Sequence, residues 1–206
     1  MAGNISRYIT IMTLMLTAAL AAGCATVGDQ RADILYKSAA NASGGSGDLH
    51  LVQDVAASSG GATPIQWIIG DVANGDGEKI GNVVTDIAPS DLIMNAFEQE
   101  FRGAGFDVIR DRTMPNDITR GLKLTSAVVK LTEVKSLTRS EAKCSMKVAL
   151  ELWRNGNAVS KLEYEAVFSD SAVVNRDELL PKVMLQTLQT LMKRAVPDLT
   201  ALTGRK

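Results

Sequence analysis

The 206-residue chain carries 22 Lys and Arg against 23 Asp and Glu, with one histidine and two cysteines. So even a balance argues against nucleic acid, which would need a basic face, and one histidine beside two thiols cannot fill the four-ligand Cys/His set of a structural zinc site. The length suits one ordinary domain and a tail.

Residues 1–23 have the three parts of a secretory signal. Arg7 is the only charge, and "YITIMTLMLTAALAA" (8–22) is an uncharged, largely apolar core. It is shorter than the roughly 20 residues a membrane span needs, but it suits a signal core. Small residues then lead into Cys24, and "LAAGC" (20–24) resembles the bacterial lipobox, with Leu20 one place further out than the usual leucine. The resemblance implies cleavage after Gly23, a diacylglycerol on the Cys24 thiol, and acylation of the new amino group. An aspartate after the cysteine would resemble an inner-membrane retention signal; Ala25 points instead to the outer membrane. One myristoyl chain binds only marginally, so three acyl chains would anchor the protein almost permanently. The expected localisation is the periplasmic face of the outer membrane. Cleavage removes Arg7 and no acid, leaving 21 basic residues against 23 acidic ones in 24–206. With Cys24 lipidated, Cys144 has no intramolecular partner, and a lone thiol in an oxidising compartment is expected to be buried.

Residues 24–63 read as a lipidated flexible linker, with "ASGGSGD" (42–48) and "ASSGGATP" (57–64) of linker composition. A slack chain of that length spans about 35 Å and would let the domain stand off the membrane. The apolar island "LHLVQDV" (49–55) is open between an edge strand and loose chain. Residues 64–206 are expected to form a single α+β periplasmic domain.

"IQWIIGDV" (65–72) reads as a strand, "ANGDGEKIGN" (73–82) as a loop and "VVTDI" (83–87) as extended chain. A helix is expected over 89–105, capped by Ser90 and stopped by Gly103 or Gly105. Leu92, Ile93, Ala96, Phe97 and Phe101 would lie on one face. "FDVIRD" (106–111) follows as a strand, and the strand–helix–strand order suggests a parallel crossover. In the long strand 121–136 the apolar phase moves from even to odd positions, which predicts a bulge or strong twist near Ala127. Cys144, Met146, Val148, Leu150 and Leu152 alternate with polar residues, as do Leu162, Tyr164, Ala166 and Phe168. Both sets are even-numbered, so a plain two-residue turn would put one set in water. The turn should span 155–157 or carry a bulge, pairing Leu150 with Leu162 and Val148 with Tyr164. The last helix, 175–199, would use Asn175 and Glu178 as a capping box, or start nearer Pro181, and end at Pro197. The expected fold is α+β: a mixed, mostly antiparallel sheet of four to six strands with two helices packed on it.

No catalytic residue, metal or cofactor is expected, and the chain is not read as an enzyme. His50 falls in the linker, and "GDVANGDGEKIGN" (70–82) fits neither a calcium loop nor a phosphate cradle. Lys161, Glu163 and Glu165 read as a solvated sheet face. A contact surface is looked for at Trp67, Asn74, Asp76, Trp153 and Asn155.

The stretches "IIGDVANGDGEKIG", "AFEQEFRGAGFDV" and "CSMKVALELWRNGNAVSKLEYEAVFSD", followed by the long helix, resemble the YajG-like bacterial lipoproteins over about 64–199. The same outline resembles the amino-terminal domain of TolB and the lipoprotein activators of penicillin-binding proteins. The resemblance implies a non-enzymatic module that binds an envelope protein, as an assembly or regulatory factor. The alternative is a ligand- or lipid-binding accessory of a transport system.

Overall fold

The computed structural model describes residues 28–53 and 66–204. Gly23, Cys24 and the expected signal segment lie outside the described residues, as do residues 25–27 and 54–63 of the expected linker. In chain order the elements are β1 (Gln30–Arg31), β2 (Asp48–Gln53), β3 (Trp67–Asn74), β4 (Lys79–Thr85), α1 (Pro89–Ala104), β5 (Asp107–Asp111), β6 (Arg120–Lys135), β7 (Ser140–Arg154), β8 (Asn157–Ala172) and α2 (Leu179–Gly204).

The three longest strands form an antiparallel meander, β6–β7–β8. Its inner face is the alternating set foreseen in the sequence: Cys144, Met146, Val148, Leu150 and Leu152 are at most 3% exposed. Each fully buried aliphatic side chain contributes about 1.5–3 kcal/mol, and a one-residue slip would put the whole set in water. Register is therefore tightly specified. Leu150 pairs with Leu162 and Val148 with Tyr164, as expected. The turn is the two-residue Asn155–Gly156, both at positive φ, with the odd residue absorbed by a bulge between Leu152 and Trp153.

β7 takes one whole edge of β6. The other edge is shared: β2 pairs with residues 121–124 of β6, and β3 with residues 131–135, both in parallel. The bulge between Leu124 and Ser126 separates these two footings, slightly before the expected position near Ala127. β5 then pairs with β2, β4 with β3, and β1 with β4, giving an eight-stranded mixed sheet. This is wider than the four to six strands expected, because β1 and β2 come from the expected linker; β4 begins inside the expected loop and runs on into the stretch read as extended chain.

Both helices pack on the inner face and on each other. α1 buries Leu92, Ile93, Ala96, Phe97 and Phe101. Its cap is not Ser90: Ala88 holds that position with no side-chain hydrogen bond, and Pro89 opens the first turn, where a missing N–H costs nothing. Asp91 instead accepts a hydrogen bond from the Gln53 side chain. Gly105, at φ 106°, closes the helix in the left-handed conformation. β4, just before α1, runs antiparallel to β5; β3 is parallel to β5 but is separated from it by β6 and β2.

α2 also differs from its expected ends. Asn175 is left-handed with no capping bond, a short 3₁₀ turn covers 176–178, and the α-helix starts at Leu179. Pro197 does not stop it. The residue four before it is Lys193, and both are exposed, so water can satisfy the carbonyl that the proline leaves free. Leu199, Thr200 and Thr203 then continue the buried face.

Residues 28–53 are not the free leash expected of them. Asp29 accepts hydrogen bonds from the Asn82 backbone and side chain, Arg31 pairs with Asp86, and Asp33 accepts from Thr85 and the Asp86 N–H. The chain then crosses the helices as a strap. Lys37 accepts from Gln189, and Gly45 donates to the Ala104 carbonyl at the end of α1. The island at 49–55 supplies β2, which sits between β5 and β6 rather than at an edge. The described domain thus begins at Gly28, four residues after Cys24.

Candidate functional site

Strand directions give the body two ends with different chemistry. At one end lie the β3–β4 turn, the β6–β7 turn and the segment leading into α2. Asn74 organises the first: its Oδ1 accepts the N–H groups of Asp76 and Glu78. In the second, Ser136 accepts the Arg139 N–H on its hydroxyl and donates its own N–H to the Arg139 carbonyl, which leaves Leu137 fully exposed at the apex. Arg176 joins the third to it. Its guanidinium donates to the Ser136 and Leu137 carbonyls (both 3.2 Å) and to the Val173 carbonyl (3.2 Å). Val173 and Val174, 66% and 75% exposed, are thereby held beside Leu137.

The opposite end holds the β7–β8 turn. The N–H groups of Asn155 and Gly156 donate to the Thr119 and Ile118 carbonyls, fixing the turn against the chain that leads into β6. Arg154 donates to the Leu202 carbonyl at the end of α2. The five residues expected to share a contact surface are therefore split. Asn74 and Asp76 lie at the first end, Trp153 and Asn155 at the second, and Trp67 between them, half-buried against the core. All five look exposed as loop or aromatic residues, but sequence carries no record of which loops share an end.

His50 lies on β2, where its Nδ1 stands 2.6 Å from Asp111 Oδ2 on β5. Cys144 is wholly buried, as expected; burial pushes its thiol up to about 11, against a partly opposing hydrogen bond from Thr187. No group of three or more metal-ligating side chains occurs among the described residues, and no helix among them is long and apolar enough to cross a membrane.

Two buried carboxylates escaped the sequence reading. Glu100, 3% exposed, receives the strap: the Tyr36 hydroxyl, the Ser38 hydroxyl (2.7 Å) and the N–H groups of Ala39 (2.6 Å) and Ala40 (3.1 Å) all donate to it. Burial raises its pKa, but these four donors outweigh that and hold it below the ordinary value. Glu133, 1% exposed, has no hydrogen bond to either oxygen, and Lys135 Nζ stands 3.5 Å away. Burial holds its carboxyl above the ordinary range, with Lys135 opposing. Both lie in phase with core residues, Glu133 with Val129 and Leu131, and Glu100 with Ala96, Phe97 and Ala104. The signal was a charge on an apolar face.

An acid raised on folding weakens the native state at neutral pH, because the folded chain holds that proton more tightly than the unfolded one. Glu133→Gln is therefore expected to raise stability by about 1–2 kcal/mol at neutral pH, read as a higher urea midpoint. That advantage should fade as the pH falls through the raised folded value toward the unfolded value of about 4.3. A lower midpoint for the variant at neutral pH would show that the charge is stabilising.

No family model matches the chain, and no curated protein is significantly similar to it. Solved structures are similar in shape at low identity. One is a Xanthomonas campestris protein of the DUF330 family, at 10% identity and TM-score 0.48, over 85% of this chain and 96% of that one. A second is a minor lipoprotein of Acinetobacter baumannii, at 12% identity and TM-score 0.37, over 66% and 89%. A third, at 12% identity and TM-score 0.36 over 81% and 86%, is a Helicobacter pylori protein described as a homolog of neuraminyllactose-binding hemagglutinin.

Proposed function

We propose that this chain is a bacterial lipoprotein of the YajG-like type, anchored through Cys24 to the periplasmic face of the outer membrane. Its α+β domain serves there as a non-enzymatic module that binds an envelope protein. The observation that carries the reading is "LAAGC" closing an uncharged signal core. Ala25 supports outer-membrane sorting. The partner is expected at the end that carries Trp153 and Asn155, where an indole and a rigid turn lie side by side.

The decisive variant is Cys24→Ser. Metabolic labelling with palmitate should mark the wild-type chain and leave the variant unlabelled, and density-gradient fractionation should move the chain out of the outer-membrane fraction. Equal membrane recovery without label would refute the lipoprotein reading. The binding role is tested in cells by photo-crosslinking residues placed at 155 and 157, with 74 and 76 for comparison. A discrete envelope protein captured from 155 and 157 is expected. No capture from either end by a correctly acylated chain would overturn it.

A further inference from the structure

Scattered exposed aliphatic residues mean little on a protein surface, but three at one end are fixed in place together. Leu137 is fully exposed at a hairpin apex, and Arg176 fixes it beside Val173 and Val174 through three backbone carbonyls. The cations around them are engaged, Arg176 by backbone carbonyls and the others by carboxylates, while Asp76, Glu78, Asp177 and Glu178 are exposed acids at the same end. Lys79 pairs with Asp71, Arg139 with Glu141, and Lys182 with Asp170 (2.7 Å). What this end offers is apolar contact, without an excess of positive charge.

The direction of β1 says what that contact meets. β1 runs parallel to β4, with Gln30 opposite Val83, so tracing the chain backwards from Gln30 leads toward Lys79 and the β3–β4 turn. Gln30 is level with Gly70 and, across β3, with Leu131 of β6. The apex at Leu137 is at most about 20 Å up the strand from that level, whereas Gly121 at the other end is about 33 Å down it. Cys24 precedes Gln30 by six residues, a reach of at most about 20 Å. An anchor at Cys24 can therefore stand level with Leu137 but cannot reach the end that carries Asn155.

We propose that Leu137, Val173 and Val174 seat in the same lipid leaflet as the Cys24 acyl chains, so that the domain stands end-on on the membrane with its Trp153–Asn155 end outward. This rests on the lipoprotein reading above. The seat adds apolar insertion beside the anchor, and it replaces a slack tether with a fixed orientation.

The test uses the full, acylated chain purified from membranes and reconstituted into phosphatidylethanolamine–phosphatidylglycerol vesicles. With Cys24 acylated and Cys144 buried, a spin label can be placed at one added thiol: Leu137→Cys, Val174→Cys or Asn157→Cys. All three positions are exposed, so the fold should tolerate each. Labels at 137 and 174 should collide severalfold more with oxygen than with a water-soluble nickel chelate, and the label at 157 should show the reverse. If intact mass confirms acylation yet 137 and 174 are as open to the chelate as 157, the end-on seat is wrong and the lipoprotein reading stands. Shielding of 137 from both relaxers would mean a protein covers this end, which also overturns the seat. Absence of an acyl mass on Cys24 would overturn the lipoprotein reading, and the seat with it.

Discussion

Replacing Gly70 by alanine is expected to cost about 3 kcal/mol or more of stability, although it adds only one methyl group. A Cβ at this position would lie 1.5 Å from the Leu131 carbonyl oxygen and 2.5 Å from its carbon. The register shift between Ile68 and Gly70 explains the approach, because the irregular strand turns this position toward its neighbour instead of toward a sheet face. The obstruction is backbone on a strand held along its other edge by β7, so it cannot rotate away as a side chain would. Alanine does gain about 0.4–1 kcal/mol by restricting the unfolded chain, but the clash outweighs this. Parting β3 from β6 would loosen β4 and β1 as well, since both attach to the sheet through β3. Urea denaturation followed by circular dichroism reads the loss, with Gly103→Ala as the control. Gly103 is in α1, and a methyl group there would meet nothing within 4 Å, so the same change should be neutral or stabilising by up to about 1 kcal/mol. Equal midpoints for Gly70→Ala and wild type would refute the close approach.

Glu100→Ala is expected to lose about 2–4 kcal/mol. It removes the acceptor of four hydrogen bonds and leaves a gap on the buried face of α1. The loss stays below the sum of four charged bonds because the strap donors are only partly buried and water can reach them when they are released. Glu100 keeps its shape in Glu100→Gln, which isolates the charge. Since folding lowers this carboxyl's pKa, its contribution is complete above the unfolded value of about 4.3 and is lost as the pH falls through the folded value. The gap in urea midpoint between wild type and Glu100→Gln should therefore be wide at neutral pH and shrink as the pH falls below the unfolded value. Limited proteolysis supplies the second reading, with cleavage within 32–47 accelerated in the variant. A strap as resistant as wild type would mean that Glu100 does not hold it.

Much of the body was legible because its burial pattern is local. The alternation in 142–168 gave strand identity, the buried face and even the need for a bulge, since parity alone forbids a plain two-residue turn there. Helix faces were equally plain from their spacing. Helix ends were read less well. Ser90, Asn175 and Pro197 have the right chemistry for caps and stops, but tertiary contacts chose other boundaries, and an exposed proline is tolerated where water meets the freed carbonyl. Grouping of the candidate contact residues was not legible, because Asn74 and Asn155 look alike in sequence and lie at opposite ends of the body.

By itself, the sequence carried the resemblance to a signal segment and lipobox at 1–24, the near-neutral charge, and the class of fold. Each is written in neighbouring residues or in a short period. Tertiary structure alone decided that residues 28–53 of the supposed leash are part of the domain. β2 gains its place from parallel pairing with strands more than fifty residues away, and the strap gains its place from one carboxylate in α1. Glycine- and serine-rich chain looks slack on composition because its own side chains bury little. It is ordered here because the rest of the molecule supplies the hydrogen-bond partners that it lacks.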